Sequence, residues 1–288
     1  MYLEYNGLQF GKNHDLKVLS AVGFGLPPEE YTVKSIIGVD GEVTTNSAWR
    51  ARTITIGFDI QDNIRCKSNR ICKAFSVKNL PLRCFFDNDR RSIMVNRITL
   101  DEGDTNGPIR SFTVQLICDF PFFTDESDNT EPCYGIIKNI KHDTGGWNLA
   151  QKNIWGEAVN RKIINNAGDI KAEPRFVISS IGESSQTHGI KIINHTTAQE
   201  FILNYQISDG ETITIDFSPR NDTGKRNITS SKSGDITNYR DDSSSLSSFY
   251  LAPGENDIQF INLDAGTKIR ANISWKSLYY SAFWGCEY

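Results

Sequence analysis

Strict alternation of apolar and polar residues, repeated in many short runs, is the feature that most narrows what this chain can become. Phe201, Leu203, Tyr205 and Ile207 alternate with polar neighbours, Asp209-Gly210 offers a turn, and Ile213, Ile215 and Phe217 alternate again. A period of two puts one set of side chains on one face of a strand, so this run predicts a β-hairpin. Phe249 to Phe260 reads as a strand, a Pro253-Gly254 turn and another strand, as expected where two sheets close face to face. The pattern occurs earlier too, in Ile54, Ile56, Phe58 and Ile60, and in Phe112, Val114, Leu116 and Cys118. Leu82, Cys84 and Phe86, a polar turn from Asp87 to Arg91, then Ile93 and Val95 predict a second hairpin, and Tyr31 to Val39 is strand-like before a turn at Asp40-Gly41. One helix is expected, capped by Asp62 and running to about Phe75, with Ile64, Ile71 and Phe75 near one face. The many Ile, Thr and Phe residues favour strands, so the predicted class is mainly β.

A length of 288 residues suits two domains. Thr124 to Pro132 is acidic and polar without apolar anchors and reads as the linker, which divides the chain into 1–132 and 133–288. Cys133 to Asn160 lacks a clean pattern and is expected to be a connecting arm; Val159 to Asn165 then opens the second sandwich. Ser218 to Ser248 is a long polar insertion, and a loop of that length is usually functional, mobile or both.

A net charge of -4 and a pI near 5.7 give no global attraction to nucleic acid or to an anionic membrane. Between Arg65 and Arg97 lie nine basic residues against Asp87 and Asp89. A solvated helix face or a salt-bridging contact to a neighbouring subunit is preferred over a nucleic-acid patch, since no recognition signature accompanies the charges. No basic segment followed by an apolar run opens the chain and no long apolar span occurs, so the protein is expected in solution inside a cell. The Asn-x-Ser/Thr triplets at Asn194, Asn221, Asn227 and Asn272 are then by-products of composition.

The residues that could carry chemistry are sparse. Cys66, Cys72, Cys84, Cys118, Cys133 and Cys286 are scattered and expected to be reduced thiols, and the four histidines make no zinc-like cluster with them. Gly23-Phe24-Gly25 leads into Pro27-Pro28 rather than a helix, against a phosphate loop. Asp87-Asn88-Asp89 begins like a calcium loop but lacks the central Gly and terminal Glu. No catalytic, cofactor-binding or metal-binding residue is therefore assigned, although a carboxylate pair drawn from distant strands stays open. Trp147, Trp155 and Trp284 are the candidates for stacking on a sugar ring or meeting a partner subunit, whereas Trp275, in phase with Ile269, Ala271 and Ile273, is expected in the core.

The order of a strand, a polar Asp-Gly turn, a long polar excursion and the Leu-Ala-Pro-Gly-Glu-Asn-Asp turn at 251–257 resembles the C-terminal galectin-like sandwich of siphophage distal tail proteins. The first half resembles the N-terminal domain of that family in Thr-Ile-Thr-Ile-Gly-Phe-Asp-Ile at 53–60, in the strand, helix and hairpin that follow, and in the closing segment 112–123. There Asp119-Phe120-Pro121-Phe122-Phe123 matches the family's Asp-Pro-like turn with one residue inserted. The resemblance implies an N-terminal β-sandwich or barrel-like domain with one helix, which builds a hexameric ring, and a galectin-like, carbohydrate-binding-module-like β-sandwich behind it. It implies a structural virion protein of the tail tip, assembled in the host bacterial cytoplasm, with no enzymatic activity and no cofactor. The implied partners are further copies of the chain, the tail tube protein, and the tail-tip lysin, fibre or receptor-binding protein. A free lectin binding host cell-wall glycan and a glycoside hydrolase are the competing readings, and neither nucleic acid nor membrane is an expected partner. With room for the two-domain plan and one enlarged loop, the chain is expected to leave host recognition to other tail proteins.

Overall fold

The computed structural model describes residues 2–11, 14, 16–38, 40–86, 89–106, 108–137, 157–180, 188–220, 224–263 and 269–282. In chain order the elements are β1 (Tyr2–Tyr5), β2 (Leu8–Gly11), β3 (Lys17–Val22), β4 (Glu29–Ser35), β5 (Glu42–Trp49), β6 (Arg52–Gln61), α1 (Ile64–Phe75), β7 (Leu80–Phe86), β8 (Asp89–Val95), β9 (Arg97–Asn106), β10 (Ile109–Cys118) and β11 (Phe123–Asp125). They continue with β12 (Asn129–Ile137), β13 (Glu157–Val159), β14 (Arg161–Asn166), β15 (Arg175–Ser180), β16 (Ile190–Asn194), β17 (Gln199–Leu203), β18 (Thr212–Asp216), β19 (Asn227–Ser230), β20 (Gly234–Asp235), β21 (Gly254–Asn262), β22 (Ile269–Trp275) and β23 (Leu278–Tyr279). The mainly β class is what forms, with α1 the one α-helix among the described residues.

Two compact units share the chain, Met1–Glu126 with Leu278–Tyr288, and Ser127–Ser277. The second is thus spliced into the first, whereas a single crossing near Pro132 was expected. The expected linker is largely strand: β11 and β12 occupy most of Thr124 to Pro132, because β11 pairs with β8 and β23 in one unit and β12 with β22 in the other.

In the first unit the sheet β2-β1-β7-β8-β11-β23 and the sheet β3-β6-β10-β9 contribute to a single core. Ile54, Ile56, Phe58 and Ile60 of β6 point inward with Phe112, Val114, Leu116 and Cys118 of β10, and Leu3, Tyr5, Leu82, Cys84, Ile93 and Val95 meet them from the other sheet. The alternation at these positions is therefore the register of two inner faces. Helix α1 adds Ile71 and Phe75 to the core. Its cap falls one residue later than expected: Asp62 and Asn63 are both left-handed, with φ of 57° and 48°, and Asn63 is the N-cap without a side-chain cap bond. A sharp reversal out of β6 takes precedence there over capping.

The second unit packs β13-β12-β22-β15-β18-β19-β20 with β14-β21-β16-β17 around one core. The expected hairpin across Asp209-Gly210 does not form. The strand β17 lies in the four-stranded sheet beside β16, and β18 lies in the seven-stranded sheet between β15 and β19. The alternation predicts both inner faces correctly, since Phe201, Leu203, Ile213 and Ile215 are all buried, but not the partner. What redirects the chain is Glu211, which is buried and accepts hydrogen bonds from the Ser208 N–H (2.7 Å), the Tyr205 hydroxyl (2.9 Å) and the Ser230 hydroxyl. These bonds hold 205–211 as a bridge between sheets, with Gly210 at φ 65° taking the turn.

Burial alone would raise the Glu211 carboxyl, yet the donors from Ser230, Ser208 and Tyr205, with Lys232 nearby, hold it below its ordinary value. Its contribution to stability is present above the ordinary glutamate value of about 4.3 and is lost as pH falls through the lower folded value. Glu211→Gln is expected to flatten the acid limb of a stability-against-pH curve measured by urea denaturation. An unchanged slope would assign the acid sensitivity to other carboxylates.

The Pro-Gly turn also differs from expectation. Phe249 to Leu251 is not a strand; Leu251 makes an isolated bridge with Ala172, and Phe249 packs on Phe217 with ring centroids 4.8 Å apart. The fully buried Asn256 organises the turn, accepting from Ala252 N–H (2.8 Å) and donating to Ala252 and Gly254 carbonyls. Asn194 donates to Asn256 Oδ1 and to the Tyr250 carbonyl. Asn194 is thus a buried structural amide, out of reach of glycosylation. The polar stretch 218–248 is not a bare loop either. It holds β19, β20 and a short 3-10 turn at Thr237–Tyr239, and it sends Ile228, Ile236 and Leu246 into the core.

Cys84, Cys118 and Cys133 are buried and burial pushes each thiol up to about 12, while Cys66 and Cys72 are exposed on α1. A thiol reagent is expected to modify Cys66 and Cys72 rapidly and the three buried thiols only on unfolding. Peptide mapping after brief alkylation checks this, and rapid labelling of Cys84 would contradict it. Cys286 lies outside the described residues.

Candidate assembly surface

The strands β4 and β5 pair with each other and with no other strand among the described residues. Both are exposed along almost their whole length, although the sequence of β4 is that of an ordinary half-buried strand. Tyr31, Val33, Ile36, Ile37 and Val43 are exposed on this hairpin, with Ile37 at 102% of its reference accessibility, and Leu19, Val22 and Leu26 are exposed just before it. Among the described residues the other exposed large apolar side chains, Val77, Met94, Ile163, Tyr239 and Leu263, are scattered along the chain. A lone two-stranded ribbon is marginal in water, and apolar side chains gathered in the open on such a ribbon make it the candidate interaction surface of this unit.

The root of the hairpin, in contrast, is held firmly. Glu29 is in register with Trp49, the Arg50 N–H donates to the Pro28 carbonyl (2.9 Å), and Arg50 pairs with Glu30. Trp49 packs against Tyr280 at 5.4 Å and Phe122 at 6.2 Å between ring centroids. Beneath them sits Arg52, 1% exposed, whose guanidinium donates to the carbonyls of Gly23 (2.8 Å), Gly25 (2.7 Å), Pro121 (2.7 Å) and Tyr280 (2.6 Å). Its Cζ lies 4.7 Å from the centre of the Phe123 ring. Burial lowers the Arg52 pKa to about 10, so the group keeps its charge at neutral pH. One cation thereby ties the segment leading into β4, the turn before β11 and the returning C-terminal strand to a common point. Tyr279 adds a bond from its hydroxyl to Asp125 (2.9 Å), Arg91 stacks over its ring at 3.6 Å and donates to the Ser281 carbonyl, and the Ala282 N–H donates to the Phe24 carbonyl.

Gly23 takes φ 93°, and a Cβ there would come within 2.3 Å of the Thr53 carbonyl oxygen, so no other residue fits. The glycine pair that superficially suggested a phosphate loop presents carbonyls to a cation of its own chain. Arg52 itself escapes a reading based on motifs. Its signal is parity: Arg52, Ile54, Ile56, Phe58 and Ile60 share the inward-facing phase of β6, and a charge in that phase must find buried acceptors.

Trp147, Trp155 and Trp284, the candidate glycan or partner contacts, lie outside the described residues. Trp275 is buried in the second core, as its phase predicted. The basic stretch does not act as one patch: Arg83 pairs with Glu4 and Glu126, Arg97 pairs with Asp119, and Arg91 is engaged at Tyr279. Among the described residues no group of three or more His, Cys, Asp or Glu could hold a metal ion, and no helix is long and apolar enough to cross a membrane.

The first unit thus carries a firmly rooted, exposed apolar ribbon on a two-sheet body. Residues 167–279, nearly all of them in the second unit, match the family described as siphovirus-type tail component, C-terminal domain. The resemblance to siphophage tail proteins carried by the turn at 251–257 is thereby borne out. The fold is similar to the crystal structure of the SPP1 Dit protein, described as a paradigm of the hub adsorption apparatus in phages infecting Gram-positive bacteria. That likeness has a TM-score of 0.65 at 14% identity and covers 96% of this chain and 98% of the other. A weaker likeness, with a TM-score of 0.46 at 12% identity, links 92% of this chain to 91% of a chain in the phage P2 baseplate in its activated conformation with calcium. No curated protein matches the sequence.

Proposed function

We propose that this chain is a structural distal tail subunit whose first unit assembles into a hexameric ring between the tail tube and the tail-tip lysin, fibre or receptor-binding apparatus. The observation that carries the reading is the exposed hairpin β4–β5, an apolar ribbon that pairs with no other strand among the described residues. A ribbon on one side of a subunit that docks on a different surface of the next copy makes a heterologous contact, and such contacts close into a ring when the rotation per subunit divides the circle. The match of the second unit to a siphovirus tail component and the likeness of the whole fold to SPP1 Dit, a hub protein by its description, supply the setting. In this reading the chain works by fit rather than by reaction, it is assembled in the host bacterial cytoplasm, and it ends at the tip of the virion tail. Sedimentation velocity with negative-stain imaging of the full chain tests it. Annuli with six-fold symmetry are expected; a monomer at every concentration, unaltered by addition of tail tube protein, would overturn it.

A further inference from the structure

Where the chain returns to the first unit, it lands on the root of the hairpin. The segment 278–282 pairs β23 with β11 and buries Leu278, Tyr279 and Ala282. Two arginines of the body bind consecutive carbonyls of this segment, Arg52 at Tyr280 (2.6 Å) and Arg91 at Ser281 (2.7 Å). Both ends of the hairpin meet it. At the end of β5, Trp49 packs on the Tyr280 ring, and ahead of β4 the Phe24 carbonyl accepts the Ala282 N–H (3.0 Å). The Phe24 ring also stacks on Phe123 at 6.3 Å between centroids, and Phe123 is opposite Tyr279 in register. Beyond this root, β4 and β5 pair with no other strand among the described residues, so no sheet pairing fixes the direction in which the ribbon points.

We infer that the returning segment 278–282 is a latch for the assembly surface. In place, it holds the hairpin at one angle to the two-sheet body; displaced, it leaves a loose ribbon that offers another copy no fixed face. Since Ser127–Ser277 lies between β11 and β23 in sequence, the chain supplies this latch only after the second unit has been made. A loosened latch lowers the fraction of subunits competent to assemble, and apparent affinity falls with that fraction. This consequence for assembly rests on the ring reading, whereas the latch itself is a property of a single chain.

Three variants of the full chain test it by hydrogen exchange and sedimentation velocity. Tyr280→Ala removes the ring beneath Trp49 and keeps the carbonyl that Arg52 binds, so exchange at the root peptide around Trp49 and Arg50 should quicken about tenfold while β6 and β10 keep their rates. Tyr280→Phe retains the ring and should restore the wild-type rate. Tyr279→Phe acts at Asp125 instead of at the hairpin, yet by loosening β23 it should quicken exchange at the same root peptide about threefold. Ring assembly should shift to about tenfold higher protein concentration in Tyr280→Ala and stay unshifted in Tyr280→Phe. Unchanged exchange at the root in Tyr280→Ala overturns the latch whether or not rings form, and so does an equal loss of protection in β6 and β10, which would make the segment part of the core. A loosened root with unaltered assembly overturns its control of the ring. A wild-type chain that is monomeric at every concentration overturns the ring reading, and the exchange result then decides the latch by itself.

Discussion

Replacing Arg52 with alanine is expected to destabilise the first unit by about 3–5 kcal/mol, a loss on the scale of breaking a buried charged network. The substitution strips the donor from four carbonyls at once, those of Gly23, Gly25, Pro121 and Tyr280, in a place where water does not replace it. It also removes the cation over the Phe123 ring. The cost is concentrated where the returning strand closes, so hydrogen exchange should show β23 and the segment around Tyr280 losing protection before β6 or β10 does. A melting temperature lower by about 10 °C or more is the expected readout for the unit. Arg52→Lys should rescue only part of the loss, since one ammonium cannot reach four carbonyls in the plane a guanidinium spans. A variant as stable as the parent would show that the carbonyls find other donors, and the account of the hairpin root would fail with it.

Changing Ile36 and Ile37 to aspartate should abolish assembly without touching the fold. Each isoleucine buried at a contact contributes roughly 1.5–3 kcal/mol, so losing two weakens each subunit contact by roughly a hundredfold or more. Ile37 is fully exposed, and the unfolding transition should therefore stay where it was. The two readouts together separate an assembly surface from a merely tolerated apolar loop. If the aspartate variant assembled as the parent does, the hairpin would not be the ring contact. If it unfolded earlier, the tip would have a structural role within the subunit.

The legible part of this protein was the inward face of each strand. Ile54, Phe58, Phe112, Phe201 and Ile215 are all where a period of two places them, because alternation is imposed locally by the pleat and is independent of which strand lies alongside. Partnership was less legible. The run through Asp209-Gly210 looks like a hairpin, yet its strands belong to opposite sheets because buried Glu211 binds Tyr205, Ser208 and Ser230 across the turn. The polar composition of 218–248 concealed a sheet edge, since Ile228, Ile236 and Leu246 are too widely spaced to show a period.

What the sequence determined by itself was the mainly β class, the core faces, the kinship of the second unit with phage tail components, and a chain poor in the motifs of catalysis. Only the tertiary structure decided that the second unit interrupts the first, that Arg52 is the buried tie at the base of the hairpin, and that β4 and β5 stand uncovered. The physical reason is common to all three. Which residues turn inward follows from backbone geometry over a few positions, whereas which strands pair, and which are left without a partner, depends on contacts between residues as distant as Arg52 and Tyr280.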